Sequence, residues 1–453
     1  MVAYRAGTPI LVPQFLNDVR VLARSFPPCT HVLNGCVDRY HFTVGLAAAL
    51  LSGRVNLLPS SQAPEMLRQL AAFAPDALWL TDENGSGNGL PCMIYPRGCP
   101  AGSAAQAASL PIEVPQIDGA QLLAYVFTSG STGTPLPYRK SFGRLIGCVR
   151  EQARRLNLCD ALRWTILATV PPQHMYGLEA SVLLPLANGH ALCAERPFYP
   201  ADIAAALERL PRPRALVSTP VHLRALLGSG VALPPVDLIL CSTAPLSQQL
   251  AAEVERRFET RLLEIYGSTE TGQIAVRRPT RTAEWRLWPG VSLESDGGRT
   301  WARGGHIEQP THLQDVLEMT GADSFLLHGR VSDLVNIAGK RSSLGYLNHQ
   351  LNSIPGVEDG AFFHPEEPHT SHTGVTRVAA CVVAPSLDAA RLLTALRERI
   401  DAVFLPRPLL FVRRLPRNST GKLPVSSLRS LAAQAKPTAS AESVPWNSRL
   451  RSP

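Results

Sequence analysis

Strand-like and helix-like patterns alternate over most of the 453 residues. They predict an α/β protein: a large N-terminal parallel-sheet core with a small antiparallel section, then a small, mobile α+β C-terminal domain. Three observations carry this. Apolar runs without polar alternation recur, as expected of strands covered on both faces. Stretches of helical spacing separate them. Beyond Arg330 the order of elements changes to a mixed one.

In chain order, HVLNGCV from His31 reads as a strand, FTVGLAAALLSG as a helix stopped by Gly53, VNLLP as a strand, APEMLRQLAAFA as a helix and DALWL as a strand. Residues 83 to 121, rich in Gly, Ser, Ala and Pro, read as a loop excursion. LLAYVF (Leu122 to Phe127) resumes the strands, followed by WTILATV, HALCAE, RALVST, VDLILCS and RLLEIYG. The helical patterns between them are YGLEASVLLPLANG, PADIAAALERL, VHLRALLG and SQQLAAEVERRF. From Arg281 to Gly329 short runs with turn signals suggest the antiparallel section. The second domain offers a helix in LGYLNHQLNSI, strands in EDGAFF, TRVAACVVA and LLFVRRL, and a helix in DAARLLTALRERIDAVF. The resulting division is 1–330, 331–430, and a tail over 431–453, rich in Ala, Ser and Pro, that reads as disordered.

Composition excludes several classes. With 45% apolar and 18% charged residues the chain is globular. No apolar run reaches the roughly eighteen residues of a membrane span, and the N-terminus lacks a signal-peptide pattern, so a soluble, cytoplasmic protein is expected. Nine cysteines, odd in number and without a CxxC pair, argue against zinc knuckles and a disulfide framework. The net charge of +8 comes from dispersed arginines with no nucleic-acid module, which favours acidic ligands or an acidic partner. Of 44 basic residues only Lys140, Lys340, Lys422 and Lys436 are lysines. Where lysine persists, a point-like ammonium has a specific use, except for Lys436 in the tail.

Five segments concentrate chemistry. Thr128 to Pro135, TSGSTGTP, follows a strand and precedes a helix. Gly130 and Gly133 allow close backbone approach, and Ser129, Ser131, Thr132 and Thr134 offer hydroxyls, so the loop reads as a phosphate cradle. Its spacing is not that of a Walker A loop. Tyr266-Gly267-Ser268-Thr269-Glu270-Thr271-Gly272 follows a strand, where open α/β sheets bind ligands, and Glu270 could hold Mg²⁺ beside phosphate oxygens. Gly329 to Arg341, GRVSDLVNIAGKR, sits at the domain boundary and reads as a hinge. NSTGKL presents Lys422 on a turn, and PPQHMYGL presents His174 after a strand. Taken singly, each is also compatible with an ordinary turn or a structural histidine.

The set and its order resemble the adenylate-forming enzymes: acyl- and aryl-CoA synthetases, peptide-synthetase adenylation domains and luciferases. The resemblance spans residues 30 to 430 and adds the turn STAPLS (Ser242 to Ser247) as the adenine-side segment. A finer likeness is to compact ligases of bacterial aryl-polyene and xanthomonadin-like pigment clusters, which share a similar DRYHFTVGLAAALLSG start. The resemblance implies ATP and Mg²⁺ as cofactors, with a carboxylic acid, hydroxybenzoate-like, activated as acyl-AMP. Transfer then goes to an acyl carrier protein, or to CoA in the alternative. A non-catalytic nucleotide-binding scaffold is the third reading.

By the same resemblance Ser129 to Thr134 hold the β- and γ-phosphates, Thr269 the α-phosphate and Glu270 the metal, with Thr128 and Lys140 also at the nucleotide. Ser242, Thr243, Ala244, Tyr266, Gly267 and Ser268 surround the nucleotide. Asp315 takes the ribose hydroxyls, with Asp323 as rival, and Arg330 assists nearby. Lys422 bridges carboxylate and phosphate during adenylation. Rotation about Val331 to Asp333 then exchanges it for the Gly339-Lys340 loop. His174, Met175, Tyr176, Ser218, Thr219 and Ser242 line the acid pocket. Three departures stand out. Leu136 occupies the position where relatives carry a lysine, which leads to the expectation that Lys140 reaches the phosphates. Ser332 leaves Asp333 alone at the hinge, and no TGD surrounds Asp315.

Overall fold

The computed structural model describes residues 1–59, 61–83, 89–96, 113–128, 136–159, 161–296, 299–330, 334–337, 340–365, 377–417 and 423–434. Two compact units divide the chain, Met1–His328 and the part from Gly329 onward.

The first unit is α/β as expected, but its parallel strands form two sheets rather than one. The smaller has the order Cys92–Ile94, Leu78–Thr81, His31–Asn34, Val55–Leu58, Leu122–Thr128, Leu136–Ser141. All neighbours in it are parallel except the last pair, where Thr128 faces Leu136 in an antiparallel ladder. The Cys92–Ile94 edge strand lies inside what the sequence presents as a loop excursion; three residues give too short a run for periodicity to register.

In the larger sheet the parallel core runs Arg261–Ser268, Leu238–Cys241, Arg214–Ser218, Thr165–Ala168, Ala191–Cys193, Ala3–Arg5. Gly272–Arg277, Trp285–Leu287 and Ser324–Arg330 extend it antiparallel. The expected antiparallel section is therefore divided: part widens the large sheet, and Val291–Asp296, Arg299–Gly304 and Thr311–Leu313 form a sheet of their own. The core strands Thr165–Ala168 and Leu238–Cys241 are buried throughout, which explains their unbroken apolar runs.

Local signals match the helices. Asp38 caps Arg39–Leu51 by accepting from the His41 N–H, and Gly53 takes a positive φ just past its end. Ser247 caps Gln248–Phe258 through the Leu250 N–H. Among the described residues no helix is long and apolar enough to cross a membrane.

The second unit has its own core, with Val335, Leu347, Leu351, Phe362, Val382, Leu392 and Leu396 buried together. A hairpin (Leu334–Ile337, Lys340–Ser343) precedes the helix Leu344–Asn352. A three-stranded sheet then pairs Asp359–Phe363 antiparallel and Leu409–Phe411 parallel with Ala379–Val383. The helix Val425–Gln434 carries regular structure three residues past Leu431; the remainder of the expected disordered tail, 435–453, lies outside the described residues.

One buried charge secures the first unit. Arg39 is fully buried, and its guanidinium donates to the Ala168 and Val170 carbonyls, both at 2.9 Å, and to the Ser181 hydroxyl. Burial pulls its pKa down to about 10. Replacing it by Met keeps the apolar stem and orphans three acceptors. Arg39→Met should therefore lose about 3 kcal/mol of stability in urea unfolding followed by tryptophan fluorescence. A loss below about 1 kcal/mol would mean the three bonds contribute little net free energy.

Candidate functional site

Four neighbouring parallel strands of the large sheet end at one edge, and a candidate segment follows each. Thr165–Ala168 leads to the His174 motif, Arg214–Ser218 to Thr219, Leu238–Cys241 to the Ser242 turn, and Arg261–Ser268 to Glu270. Cross-bonds tie these ends together. Thr169 and Ser218 hydroxyls lie 3.1 Å apart, and Ser242 Oγ donates to the Ile265 carbonyl at 2.8 Å. Glu264, buried between Arg277 (2.7 Å) and the Leu246 N–H (3.1 Å), fixes the far end of the Ser242 turn. Thr243 in that turn has φ +80°, a strained conformation for a β-branched residue of the kind that clusters at ligand sites.

The Glu270 segment is a tight hairpin between Arg261–Ser268 and Gly272–Arg277, with Thr269 and Glu270 at its tip. The ladder slips at Tyr266/Gly267, and a Cβ on Gly267 would lie 2.2 Å from the Gly272 carbonyl, so only glycine fits. Ser268 and Thr271 exchange hydroxyl and backbone bonds of 3.1 to 3.2 Å across the tip. Tyr266 donates its hydroxyl to Asp315 at 2.6 Å, which brings Asp315 to the motif. Asp323 is directed elsewhere, toward Arg155 and Arg286 at 3.7 and 3.6 Å.

His174 opens the short helix Met175–Leu178, which continues through a π-turn, Glu179–Leu183. Gly177 is obligatory there, because a Cβ would sit 2.0 Å from the Pro171 carbonyl. Met175 and Tyr176 are buried, as are Ser218 and Thr219. π-turns of this kind recur at functional sites.

Behind the Glu270 tip lies a polar network that the motifs alone did not reveal. Lys140 is 4% exposed, and its ammonium donates to the Glu270 carbonyl at 2.8 Å. Tyr138, two residues earlier, has its phenol pKa raised by burial first and then by the nearby Glu270 charge. Glu179 accepts from the Gln273 N–H at 3.2 Å and from the Cys148 thiol at 3.4 Å, and Gln152 donates to the Gln273 side chain at 2.7 Å. Burial raises Glu179 to about 7 and lowers His306 to about 4. Cys148, Glu179 and His306 present ligand atoms within 4.8 Å of one another, but the Lys140 charge acting on this cluster opposes a cation there. The available signals for the network were Glu179 inside an apolar helix and Lys140 in a chain poor in lysine.

The expected residues Ser129 to Thr134, Val331 to Asp333, Gly339 and Lys422 lie outside the described residues. Arg330 ends the strand Ser324–Arg330, and Ala244 lies in the Ser242 turn. Within the second unit Lys340 pairs with Asp401, and Arg417 forks onto Asp359 with two bonds of 2.8 Å.

Comparison with known proteins adds four findings. A family model described as AMP-binding enzyme matches residues 36–296. The chain is 33% identical over 299 residues to a 4-coumarate–CoA ligase of Rhodobacter capsulatus, covering 65% of this chain and 73% of that one. It is 25% identical over 432 residues to a sulfoacetate–CoA ligase of Cupriavidus necator, covering 83% and 82%. The fold matches ATP-bound MatB from Rhodopseudomonas palustris with a TM-score of 0.77 at 19% identity, over 96% of each chain.

Glu179 gives a pH test. Its folded pKa of about 7 lies above the ordinary 4.5, so the folded state holds the proton more tightly than the unfolded. That contribution is complete below about pH 4.5 and is lost as pH rises through about 7. The stability of wild type relative to Glu179→Gln should therefore fall across this window, read from urea midpoints at each pH. A constant difference would contradict the assignment.

Proposed function

Because this chain belongs to the AMP-binding enzyme family, as an AMP-forming acid–thiol ligase, we propose that it joins an aryl carboxylic acid to a phosphopantetheine thiol through an acyl-adenylate. The observation that supports this reading best is the meeting of Glu270, Asp315 and the Ser242 turn at one sheet edge. A carboxylate at a turn tip is the hard oxygen donor that Mg²⁺ takes, so Glu270 fits the metal. Bound there, the metal would neutralise phosphate charge.

The remaining roles are those the family resemblance implies. Asp315 accepts from the ribose hydroxyls, and Ser242 to Ala244 with Tyr266 to Ser268 border the nucleotide. Thr269 meets the α-phosphate, and Thr128 to Thr134 meet the outer phosphates. A carboxylate oxygen of the acid attacks the α-phosphorus and the bond to pyrophosphate breaks. The thiol sulfur then attacks the acyl carbon and AMP leaves. Both steps gather negative charge on oxygen, so the protein's part is positioning and electrostatic stabilisation. Lys422, with Arg330, supplies cationic stabilisation in the first step, and the Gly339-Lys340 loop serves the second.

For the acid, Met175, Tyr176 and the 33% identical 4-coumarate–CoA ligase support an aromatic ring, and the likeness to the pigment-cluster ligases narrows it to a hydroxybenzoate type. For the acceptor, the net charge of +8 suits the acidic surface common among acyl carrier proteins. The relatives' names favour CoA as the second reading.

Acid-dependent exchange of labelled pyrophosphate into ATP should be strongest with benzoates and cinnamates. Activity with amino acids alone would overturn the assignment. Lys422→Ala should reduce that exchange by at least about a hundredfold, while thiol transfer from preformed acyl-adenylate falls far less. Thioester formation on holo-carrier protein should exceed that on CoA; efficient turnover with CoA alone would decide for the second reading.

A further inference from the structure

We propose that Tyr266 is a positioning residue for the ribose carboxylate: its hydroxyl, held by an aromatic cluster, fixes the plane of the Asp315 carboxyl group and so sets the preference for a nucleotide with both ribose hydroxyls. This rests on the reading of Asp315 as the residue that accepts from the ribose.

The bond joins residues that the sheet order keeps apart. Asp315 opens the edge strand Asp315–Met319, and four steps separate that strand from Arg261–Ser268, through Ser324–Arg330, Trp285–Leu287 and Gly272–Arg277. At about 4.8 Å per step a flat sheet would hold the two strands about 19 Å apart. The Tyr266 hydroxyl donates to Asp315 Oδ2 at 2.6 Å, so the antiparallel extension curls back until its edge meets the parallel core. The ladder slip at Tyr266/Gly267 falls at the donor itself, and a bulge re-aims the side chain beside it.

The donor is placed by packing. The Tyr266 ring centroid lies 5.5 Å from that of Trp285 and 5.6 Å from that of Phe325, and those two buried rings stack at 6.4 Å with planes 11° apart. Arg277 covers Trp285 with its guanidinium 4.5 Å from the ring centroid, and bonds Glu264 at 2.7 Å. Glu264 also takes the Leu246 N–H at 3.1 Å. One chain of contacts therefore runs from the Ser242 turn through Glu264, Arg277, Trp285 and Tyr266 to Asp315. The last torsion of an aspartate is broad, so a bond to one oxygen selects the plane of the carboxyl group. A separation of 2.6 Å is that of a hydroxyl bonded to an ionised carboxylate. Held in one plane, such a carboxylate meets the two neighbouring hydroxyls of a ribose without a further loss of freedom.

The test is isothermal titration of ATP, 2′-deoxy-ATP and 3′-deoxy-ATP, each with Mg²⁺, into wild type, Tyr266→Phe and Asp315→Asn, with urea midpoints for each protein. Tyr266→Phe keeps the ring in its cluster and removes only the donor. It should weaken ATP about tenfold and the deoxy analogues by no more than about threefold, so that the wild-type preference for ATP shrinks. Equal weakening of all three nucleotides would reduce Tyr266 to a packing role and overturn the proposal. If Asp315→Asn removes the preference and Tyr266→Phe leaves it intact, the positioning role is refuted and the reading of Asp315 stands. If wild type shows no preference, or Asp315→Asn leaves it unmoved, both fall.

Discussion

Four parallel strands that lie side by side must release the chain at the same edge, and this one directional constraint assembles the site. Thr165–Ala168, Arg214–Ser218, Leu238–Cys241 and Arg261–Ser268 are spread between residues 165 and 268, yet their outgoing loops are neighbours. The loops need little structure of their own. They inherit position from strands paired in a defined register, with Leu216 opposite Leu167 on one side and Ile239 on the other.

Local order then comes from polar groups that burial forces into partnership. Glu264 could not remain in the core without Arg277 and the Leu246 N–H, and in satisfying it those partners fix the Ser242 turn against the Glu270 hairpin. Glycine plays the complementary part where no side chain fits. Gly267 lets the two arms of the hairpin close, and Gly177 lets the His174 helix pack on the Pro171 carbonyl. Packing and polar satisfaction thus act on the same few loops, so each loop has one arrangement.

Much of this was legible in the sequence. Strand and helix order, the change near Arg330 and the motif positions at strand ends followed from periodicity, because apolar strands and amphipathic helices impose different spacings. Division into two sheets did not follow: an apolar strand reads the same in either sheet, and strand order is set by long-range pairing that no window contains. The Ala3–Arg5 and Cys92–Ile94 strands were too short to register. Asp315 came from the family resemblance, and in the structure it accepts from the Tyr266 hydroxyl. Tyr138 and Glu179 were missed for a different reason. Each faces the hairpin around Glu270 and Gln273, far along the chain, a pairing that no local window contains.

Lys140 and Arg39 illustrate why two kinds of buried cation are used in one core. Arg39 spreads its charge over a planar fork and satisfies three neutral acceptors. It can close a static seam between a helix and a strand end. Lys140 concentrates its charge at one atom, meets a single backbone carbonyl, and depends on Glu179 and Glu308 for compensation. A guanidinium at that point would require more acceptors than one turn offers and more room than a 4% exposed position allows. The ammonium suits a place where a single peptide carbonyl must be held. A chain with 40 arginines in 44 basic residues thus has a physical reason to keep lysine there.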